Sequence, residues 1–277
     1  MRGRIAWPGV ARYVDFDRGE WAARRRTPPR PVPTGTVAPA DQVEVYGPLA
    51  DLVAERAGGT APFVVAVTGS VAVGKSASAA ALSAALTGDE PGEQVAVVCT
   101  DGFLFPNRVL AARGLLDRKG FPESFDHDAL ARFLVTLRGG ASEARAPVYS
   151  HATYDIVEGE AQVVRRPRVL ILEGLPFPED HVDLTVFLDA AEVDIERWFV
   201  VRFCSLCADA RTDDTSAYYR IFSGYSDAQA GAFARQVWAA INHVNLEEHI
   251  LPVRDGSDVI LEKGPDHAVR RVRLRVT

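Results

Sequence analysis

The sequence predicts an α/β fold in which helices flank both faces of a mostly parallel sheet. Helical patterns occupy 76–86, 190–207 and 226–250. Between them stand apolar runs rich in β-branched residues, which are typical of buried parallel strands: "FVVAVT" (63–68), "QVAVVCT" (94–100), "RVLILEG" (168–174) and "LTVFLDA" (184–190). Strands that alternate with helices in this way predict a parallel sheet joined by helical crossovers.

The N-terminal part of the chain differs in composition from the rest. At 277 residues and 47% hydrophobic content, the chain is long enough to bury a sizeable core. Residues 27–39 carry five prolines, which predicts an extended connector, and 41–59 has helical spacing. We therefore predict an N-terminal arm and helical extension over 1–58 and a main domain over 59–277, packed as one compact unit. The last two runs, "SDVILEK" and "RRVRLRV", predict half-buried strands.

Composition and charge argue against several classes of partner. The formal net charge is −6, so nothing draws this surface toward nucleic acid or an anionic membrane. No apolar run approaches the roughly 18 residues of a membrane span, and the first ten residues lack the apolar core of a secretory signal. Cys204 and Cys207 form a CxxC without a second Cys or His pair at zinc-site spacing. We expect a cytosolic protein with reduced thiols and a small-molecule partner.

Residues 69–76, "GSVAVGKS", match the pattern of a phosphate-binding loop, and a strand precedes them while a helix follows. The motif predicts a P-loop NTPase-type domain in which backbone N–H groups hold the phosphates of ATP. Lys75 is expected to reach the β- and γ-phosphates, and Ser76 to hold Mg²⁺. Only three of the 31 basic residues are lysines, namely Lys75, Lys119 and Lys263. Because arginine is the usual basic residue in this chain, each lysine is a candidate for a specific role. The residues expected to bind the nucleotide here are Gly69, Ser70, Val71, Ala72, Val73, Gly74, Lys75 and Ser76.

Two carboxylates stand where parallel strands end, the edge at which ligands bind in such sheets. We predict that Glu173 completes the metal site with Ser76. Asp101, in "TDGF", is positioned to accept the proton of an attacking hydroxyl, although a "DG" pair also caps turns. No N-K-x-D base-reading sequence is present, which favours phosphoryl transfer to a small alcohol over a hydrolytic GTPase switch.

Several longer stretches resemble the bacterial type I pantothenate kinases, relatives of uridine kinase and phosphoribulokinase. They include "TDGFLFPNRVLAARGLLDRKGFPESFD", "APVYSHATYDIV", "VLILEGL" and "INHVNLEEHILPVR", and together they span almost the whole chain. The resemblance implies ATP-dependent phosphorylation of the terminal hydroxyl of pantothenate, the first step of coenzyme A synthesis. It also implies Mg²⁺ and a cytosolic homodimer.

The same resemblance implies roles for individual residues. Asp101 is similar to the general base, Lys75 to the phosphate-binding lysine, and Arg202 to an arginine that neutralises the transferring phosphoryl group. The residues expected to hold pantothenate are Asp101, Tyr149, His151, Tyr154, Phe199 and Asn245, and those expected around adenine are Lys263 and His267. Apart from the resemblance, ordinary structural roles account for these side chains too, as strand aromatics, a turn histidine, a helix-end asparagine, a helix-surface arginine and loop residues.

One departure keeps two other functions open. Phe199 stands where the family usually has a tyrosine whose hydroxyl contacts pantothenate. The ring of Phe199 cannot make that hydrogen bond. A paralogous kinase that acts on another alcohol, such as a nucleoside or a pathway-specific metabolite, is the first alternative. The second is a nucleotide-binding regulator without turnover, which the presence of both Asp101 and Arg202 disfavours.

Overall fold

The computed structural model describes residues 12–28, 37–58, 62–87, 95–175, 179–212 and 218–276. Within these ranges the chain forms the following strands: β1 (Tyr13–Asp17), β2 (Phe63–Gly69), β3 (Val95–Cys99), β4 (Ala144–Ser150), β5 (Asp155–Val164), β6 (Val169–Glu173), β7 (Leu184–Ala190), β8 (Val259–Lys263) and β9 (Val269–Arg275).

The main sheet is mostly parallel, as the sequence predicts. Its strand order over the described residues is β1-β9-β8-β7-β2-β6-β3. The strands from β8 to β3 are all parallel, whereas β9 pairs antiparallel with β8, and β1 antiparallel with β9. Strands β4 and β5 form a separate antiparallel hairpin. Since β2 is the middle one of the five parallel strands, the loop that follows it opens at the middle of their carboxyl edge.

The α-helices of the described chain are α1 (Arg18–Ala22), α2 (Pro39–Asp41), α3 (Gly47–Arg56), α4 (Lys75–Leu86), α5 (Asn107–Arg113), α6 (His127–Arg138), α7 (Glu192–Asp209), α8 (Asp227–Val237), α9 (His243–Asn245) and α10 (Leu251–Arg254). Short π-helical segments at Gln42–Tyr46, Trp238–Asn242 and Leu246–Ile250 join some of them, so 227–254 is helical throughout. A capping box at Ser226 begins that long helix, whose pattern the sequence predicts from residue 226.

Helices cover both faces of the sheet, as predicted. Neighbouring β2 residues point to opposite faces, and accordingly Val65 belongs to one buried cluster and Val64 to another. The first cluster contains residues of α3 and α4, and the second contains Leu130 and Leu134 of α6. In an α/β sheet covered on both faces, a ligand binds in the crevice beyond the carboxyl ends of the strands.

The N-terminal part shares this core. The indole of Trp21 donates a hydrogen bond to the carbonyl of Val45 at 3.0 Å, and Tyr46 Oη donates to Ser78 Oγ of α4 at 2.7 Å. Val45 and Leu49 belong to the cluster that includes Val65. Most of the predicted proline-rich connector, residues 29–36, lies outside the described residues.

Two features of the fold differ from the sequence-based expectations. Strand β8 is buried at four of its five residues rather than at alternate ones, because side chains on both of its faces, such as Ile260 and Leu261, pack in the buried core. Strand β1 is not predicted by its sequence, and it exists through pairing with β9 at the far end of the chain.

Cys204 and Cys207 lie on α7 with free thiols, as expected. None of the helices in the described ranges has the length and apolar character needed to span a membrane.

Candidate active site

The phosphate loop connects β2 to α4 at the centre of the carboxyl edge. Gly69 has φ +144°, and a Cβ there would lie 2.6 Å from the carbonyl oxygen of Leu188, so no other residue fits. Gly74, with φ +93°, is the last residue before α4, and Ala72 also has a positive φ, +63°. This backbone turns the N-terminus of the twelve-residue helix α4 toward the loop, the arrangement that binds phosphate.

Lys75 lies folded against this loop. Its Nζ donates to the carbonyls of Gly69 at 3.2 Å and Ser70 at 2.9 Å. Burial lowers the pKa of Lys75, and the nearby carboxylates of Asp101 and Glu173 oppose that decrease. Lys75, Asp101 and Glu173 therefore lie close together at the carboxyl edge of the sheet.

Ser76 and Glu173 form the predicted metal pair. The Ser76 hydroxyl donates to Glu173 Oε1 at 2.9 Å, and Glu173 is only 8% exposed at the end of β6. A hydroxyl and a carboxylate oxygen are ligands that Mg²⁺ prefers, so the donor set present fits this ion. The placement agrees with the prediction, and metal binding itself stays a prediction.

Asp101 lies in a 3₁₀ turn (Thr100–Phe103) directly after β3. Strands β3 and β6 pair so that Cys99 stands beside Glu173, which brings Asp101 next to the metal pair. The turn packs tightly against the β4–β5 hairpin, since a Cβ on Gly102 would lie 2.1 Å from the Pro147 carbonyl oxygen. Asp101 therefore lies between the phosphate loop and that hairpin.

The hairpin carries the predicted acceptor residues Tyr149, His151 and Tyr154. The ring of Tyr149 contacts those of His151 and Tyr154, with centroid distances of 5.2 and 6.2 Å. Tyr154 has φ +54° in the turn between the strands. Burial raises the pKa values of Tyr149 and Tyr154, so both hydroxyls remain protonated hydrogen-bond donors.

Lys119 is a site residue that the motif analysis does not assign. Its Nζ donates to Asn107 Oδ1 at 2.7 Å and to the Tyr154 carbonyl, and it lies 4.2 Å from the centroid of the Tyr154 ring. Burial lowers the pKa of Lys119 to about 8, opposed by Asp155 and Asp101. The scarcity of lysine was the signal in the sequence that pointed to it.

Asn245 reaches the site from the long C-terminal helix. Its Nδ2 donates to the carbonyl of Gly120 at 3.0 Å, which places it beside the Lys119 turn. Its Oδ1 is buried without a hydrogen-bond partner among the described residues. Asn245 and Gly120 also line a cavity of about 500 Å³ that extends to Leu175, just beyond β6. Asn245 Oδ1 can therefore accept a hydrogen bond from a ligand.

Arg202 and Phe199 lie one turn apart on α7. Arg202 is exposed, and its charge contributes to the pKa of Lys75, so its guanidinium group is within electrostatic reach of the phosphate loop. Phe199 packs against Phe203 and Trp238, with ring centroids 6.4 and 6.1 Å apart. Among the ring pairs of the described residues, none joins Phe199 to Tyr149 or Tyr154.

Lys263 and His267 lie on the other side of the loop, at β8 and the turn after it. Lys263 Nζ donates to the carbonyl of Val73 at 2.9 Å, and burial lowers the pKa of this lysine to about 8. The His267 ring stacks on Trp198 with a centroid distance of 3.8 Å. These two residues thus lie on the β8 side of the phosphate loop, whereas Asp101 follows β3 on the other side of β2, and their nucleotide role stays a prediction.

Comparisons with known proteins agree with this arrangement. The model of the phosphoribulokinase / uridine kinase family matches residues 64–199. A pantothenate kinase from Sorangium cellulosum is 43% identical over 96% of this chain and 98% of its own, and one from Myxococcus xanthus is 43% identical over 96% of both. The chain belongs to the pantothenate kinase family. The family that the motifs indicated is therefore confirmed, and with it the enzyme class, a kinase.

The solved structures support the fold of this pantothenate kinase family member. D-glycerate 3-kinase from Cryptococcus neoformans var. grubii is 14% identical and superimposes with a TM-score of 0.55, over 81% of this chain and 97% of its own. At that identity the likeness concerns the fold alone. The predicted P-loop kinase fold is thus confirmed.

Proposed function

We propose that this protein transfers the γ-phosphoryl group of ATP to the terminal hydroxyl of pantothenate. The observation that carries the proposal is the position of Asp101 between two groups of residues. On one side are Lys75, Ser76 and Glu173, and on the other the polar hairpin with Tyr149 and its neighbours. A transfer enzyme needs these two sides, whereas a nucleotide-binding regulator needs only the first.

On the nucleotide side, the phosphate loop and the N-terminus of α4 hold the phosphates of ATP, while Lys263 and His267 lie toward the base. Ser76 and Glu173 would hold Mg²⁺, which supplies charge neutralisation on the phosphate oxygens when bound. Lys75 exchanges its present hydrogen bonds to the loop carbonyls for bonds to phosphate oxygens. That exchange needs only a side-chain rotation, since the lysine already lies at the loop.

Asp101 acts on the acceptor. Its carboxylate accepts a hydrogen bond from the terminal hydroxyl of pantothenate, orients that oxygen toward the γ-phosphorus, and takes up its proton. Phosphoryl transfer proceeds through a loose transition state in which charge spreads over the phosphoryl oxygens. Arg202 and Lys75 stabilise this charge with their fixed positive groups. Positioning by Asp101 contributes alongside proton transfer.

Recognition of pantothenate uses groups of opposite polarity. Pantothenate carries a carboxylate, an amide and hydroxyl groups. Within the described part of the chain the hydrogen bonds of Lys119 Nζ go to neutral oxygens, so a carboxylate of the substrate is a suitable partner for it. The free Oδ1 of Asn245 accepts a hydrogen bond from an amide or hydroxyl group, and Tyr149, His151 and Tyr154 complete the pocket.

A second candidate is a paralogous kinase for another alcohol. The apolar Phe199, where a tyrosine is expected, is the observation that favours it.

We propose that the enzyme is a homodimer in the cytosol, by analogy with the family. This assembly, its location and the roles of the individual residues stay predictions.

A coupled assay of ADP release with ATP and Mg²⁺ tests the function over pantothenate, pantetheine, uridine and ribulose 5-phosphate. We expect turnover with pantothenate and none with uridine or ribulose 5-phosphate. Pantetheine keeps the terminal hydroxyl but lacks the carboxylate, so it serves as a matched probe for Lys119. Lys119→Met should raise KM for pantothenate about tenfold and leave that for pantetheine nearly unchanged. Turnover with uridine or ribulose 5-phosphate but not pantothenate would contradict the proposal.

A further inference from the structure

Tyr219 occupies a position that neither the motifs nor the family resemblance assigns. It lies in a 3₁₀ segment, Tyr218–Phe222, that packs against α7. Its ring meets that of Phe203 edge to face, with a centroid distance of 5.9 Å, and that of Tyr218 at 5.2 Å. Phe203 in turn contacts Phe199, and Tyr218 stacks on Tyr154 at 4.4 Å. Tyr219 therefore connects the acceptor hairpin with the face of α7 that carries Phe199.

The electrostatic surroundings of Tyr219 agree with the position that its ring contacts give it beside the acceptor hairpin. Burial raises the pKa of Tyr219, and the charge of Arg202 opposes that rise. Tyr219 is also among the groups that raise the pKa values of Tyr149 and Tyr154. The phenol is thus within reach of three predicted site residues. Its hydroxyl makes no hydrogen bond with the described residues and remains a protonated donor.

We propose that Tyr219 is a substrate-binding residue whose hydroxyl donates a hydrogen bond to a polar oxygen of the bound acceptor, the contact that the ring of Phe199 cannot make. The proposal rests on the proposed function, because it names pantothenate as the molecule held. A tyrosine suits this position since its apolar ring packs in the aromatic cluster while its hydroxyl meets the polar end of the ligand.

Two other tyrosines of this region differ from Tyr219 in their contacts. The stacked ring of Tyr218 has one face covered by Tyr154, and its backbone N–H donates to the carbonyl of Ala152. Tyr225 packs against Phe222 and Phe233, and among the described residues no ring of the β4–β5 hairpin contacts it. Tyr225 is therefore a matched control, a tyrosine of the same cluster outside the binding pocket.

Steady-state kinetics of Tyr219→Phe test the proposal, with Tyr225→Phe as the control. Loss of one neutral hydrogen bond should raise KM for pantothenate about fivefold in Tyr219→Phe, with KM for ATP and the melting temperature unchanged. Tyr225→Phe should leave both KM values unchanged. Adding Phe199→Tyr to Tyr219→Phe should lower KM for pantothenate again, because both rings pack on Phe203 and a hydroxyl at residue 199 restores the missing donor.

An active wild type with an unchanged KM in Tyr219→Phe would overturn this assignment, and so would failure of Phe199→Tyr to lower the raised KM. An equal rise in KM for Tyr225→Phe would also overturn it, because the effect would then come from the aromatic cluster and not from one hydroxyl. Absence of any wild-type turnover with pantothenate, despite ATP binding, would instead refute the proposed function and this contact with it. The two failures are thus distinguishable.

Discussion

Lys263 gives a prediction whose magnitude follows from the structure. The side chain is buried beneath the phosphate loop, where its Nζ donates to Val73 and would lie 3.0 Å from a Cβ on Gly74. Burial lowers the pKa of Lys263 from 10.5 to about 8, with Asp41 opposing the decrease. Between these values the unfolded chain binds more protons than the folded one, so the free energy of unfolding rises with pH. For one such group the gain between pH 7 and pH 9.5 is about 2 kcal/mol.

Urea unfolding of the wild type and of Lys263→Met at those two pH values measures this gain. We expect the wild type to gain about 2 kcal/mol more than the variant between pH 7 and pH 9.5. The difference at pH 7 serves as the reference, since the lost packing contributes equally at both values. Other groups that titrate in this range are common to the two proteins and cancel. Equal pH dependence in the two proteins would refute the reasoning that Lys263 carries a buried charge at the loop.

Three further substitutions test other parts of the site. Glu173→Gln should lower the apparent affinity for Mg²⁺ about 10–100-fold in a titration of ADP release, and an unchanged Mg²⁺ dependence would exclude a metal role. Arg202→Gln should lower kcat about 10²–10³-fold with KM for pantothenate nearly unchanged, whereas a pure KM effect would place the guanidinium on the substrate. Gly102→Ala should lower the free energy of unfolding by about 1–3 kcal/mol in urea, because its Cβ meets the Pro147 carbonyl oxygen at 2.1 Å. Gly224→Ala, where a Cβ meets nothing within 4 Å, is the control and should remain close to wild type.

The parts of the site that lie on regular elements could be predicted from the sequence. Buried parallel strands end at the same edge of a sheet, so Glu173 at the end of β6 and Asp101 just after β3 were expected near the phosphate loop. The order of the strands in the sheet could not be predicted from the sequence, although this order decides which strand ends lie next to each other. It places β6 between β2 and β3, and this puts Glu173 within hydrogen-bond distance of Ser76.

The parts that depend on turns could not be predicted in the same way. Lys119 meets the Tyr154 carbonyl at the hairpin turn, where Tyr154 adopts a positive φ that its residue type does not signal. Tyr219 lies against Phe203 and Tyr218, contacts that no motif indicates. Strand β8 lacks alternating exposure because the core covers side chains on both of its faces, which its own sequence does not reveal.

Asp101→Asn tests whether the carboxylate of Asp101 acts on the acceptor hydroxyl. The change keeps the size of the side chain and removes its ability to accept a proton, so kcat for pantothenate should fall about 10²–10⁴-fold. The dissociation constant for ATP, measured by calorimetry on the same protein, should stay within about twofold of the wild type, since Asp101 lies beside the phosphate loop and not in it. A variant that retains kcat, or one that loses ATP binding together with turnover, would contradict the assignment of Asp101 to the acceptor hydroxyl.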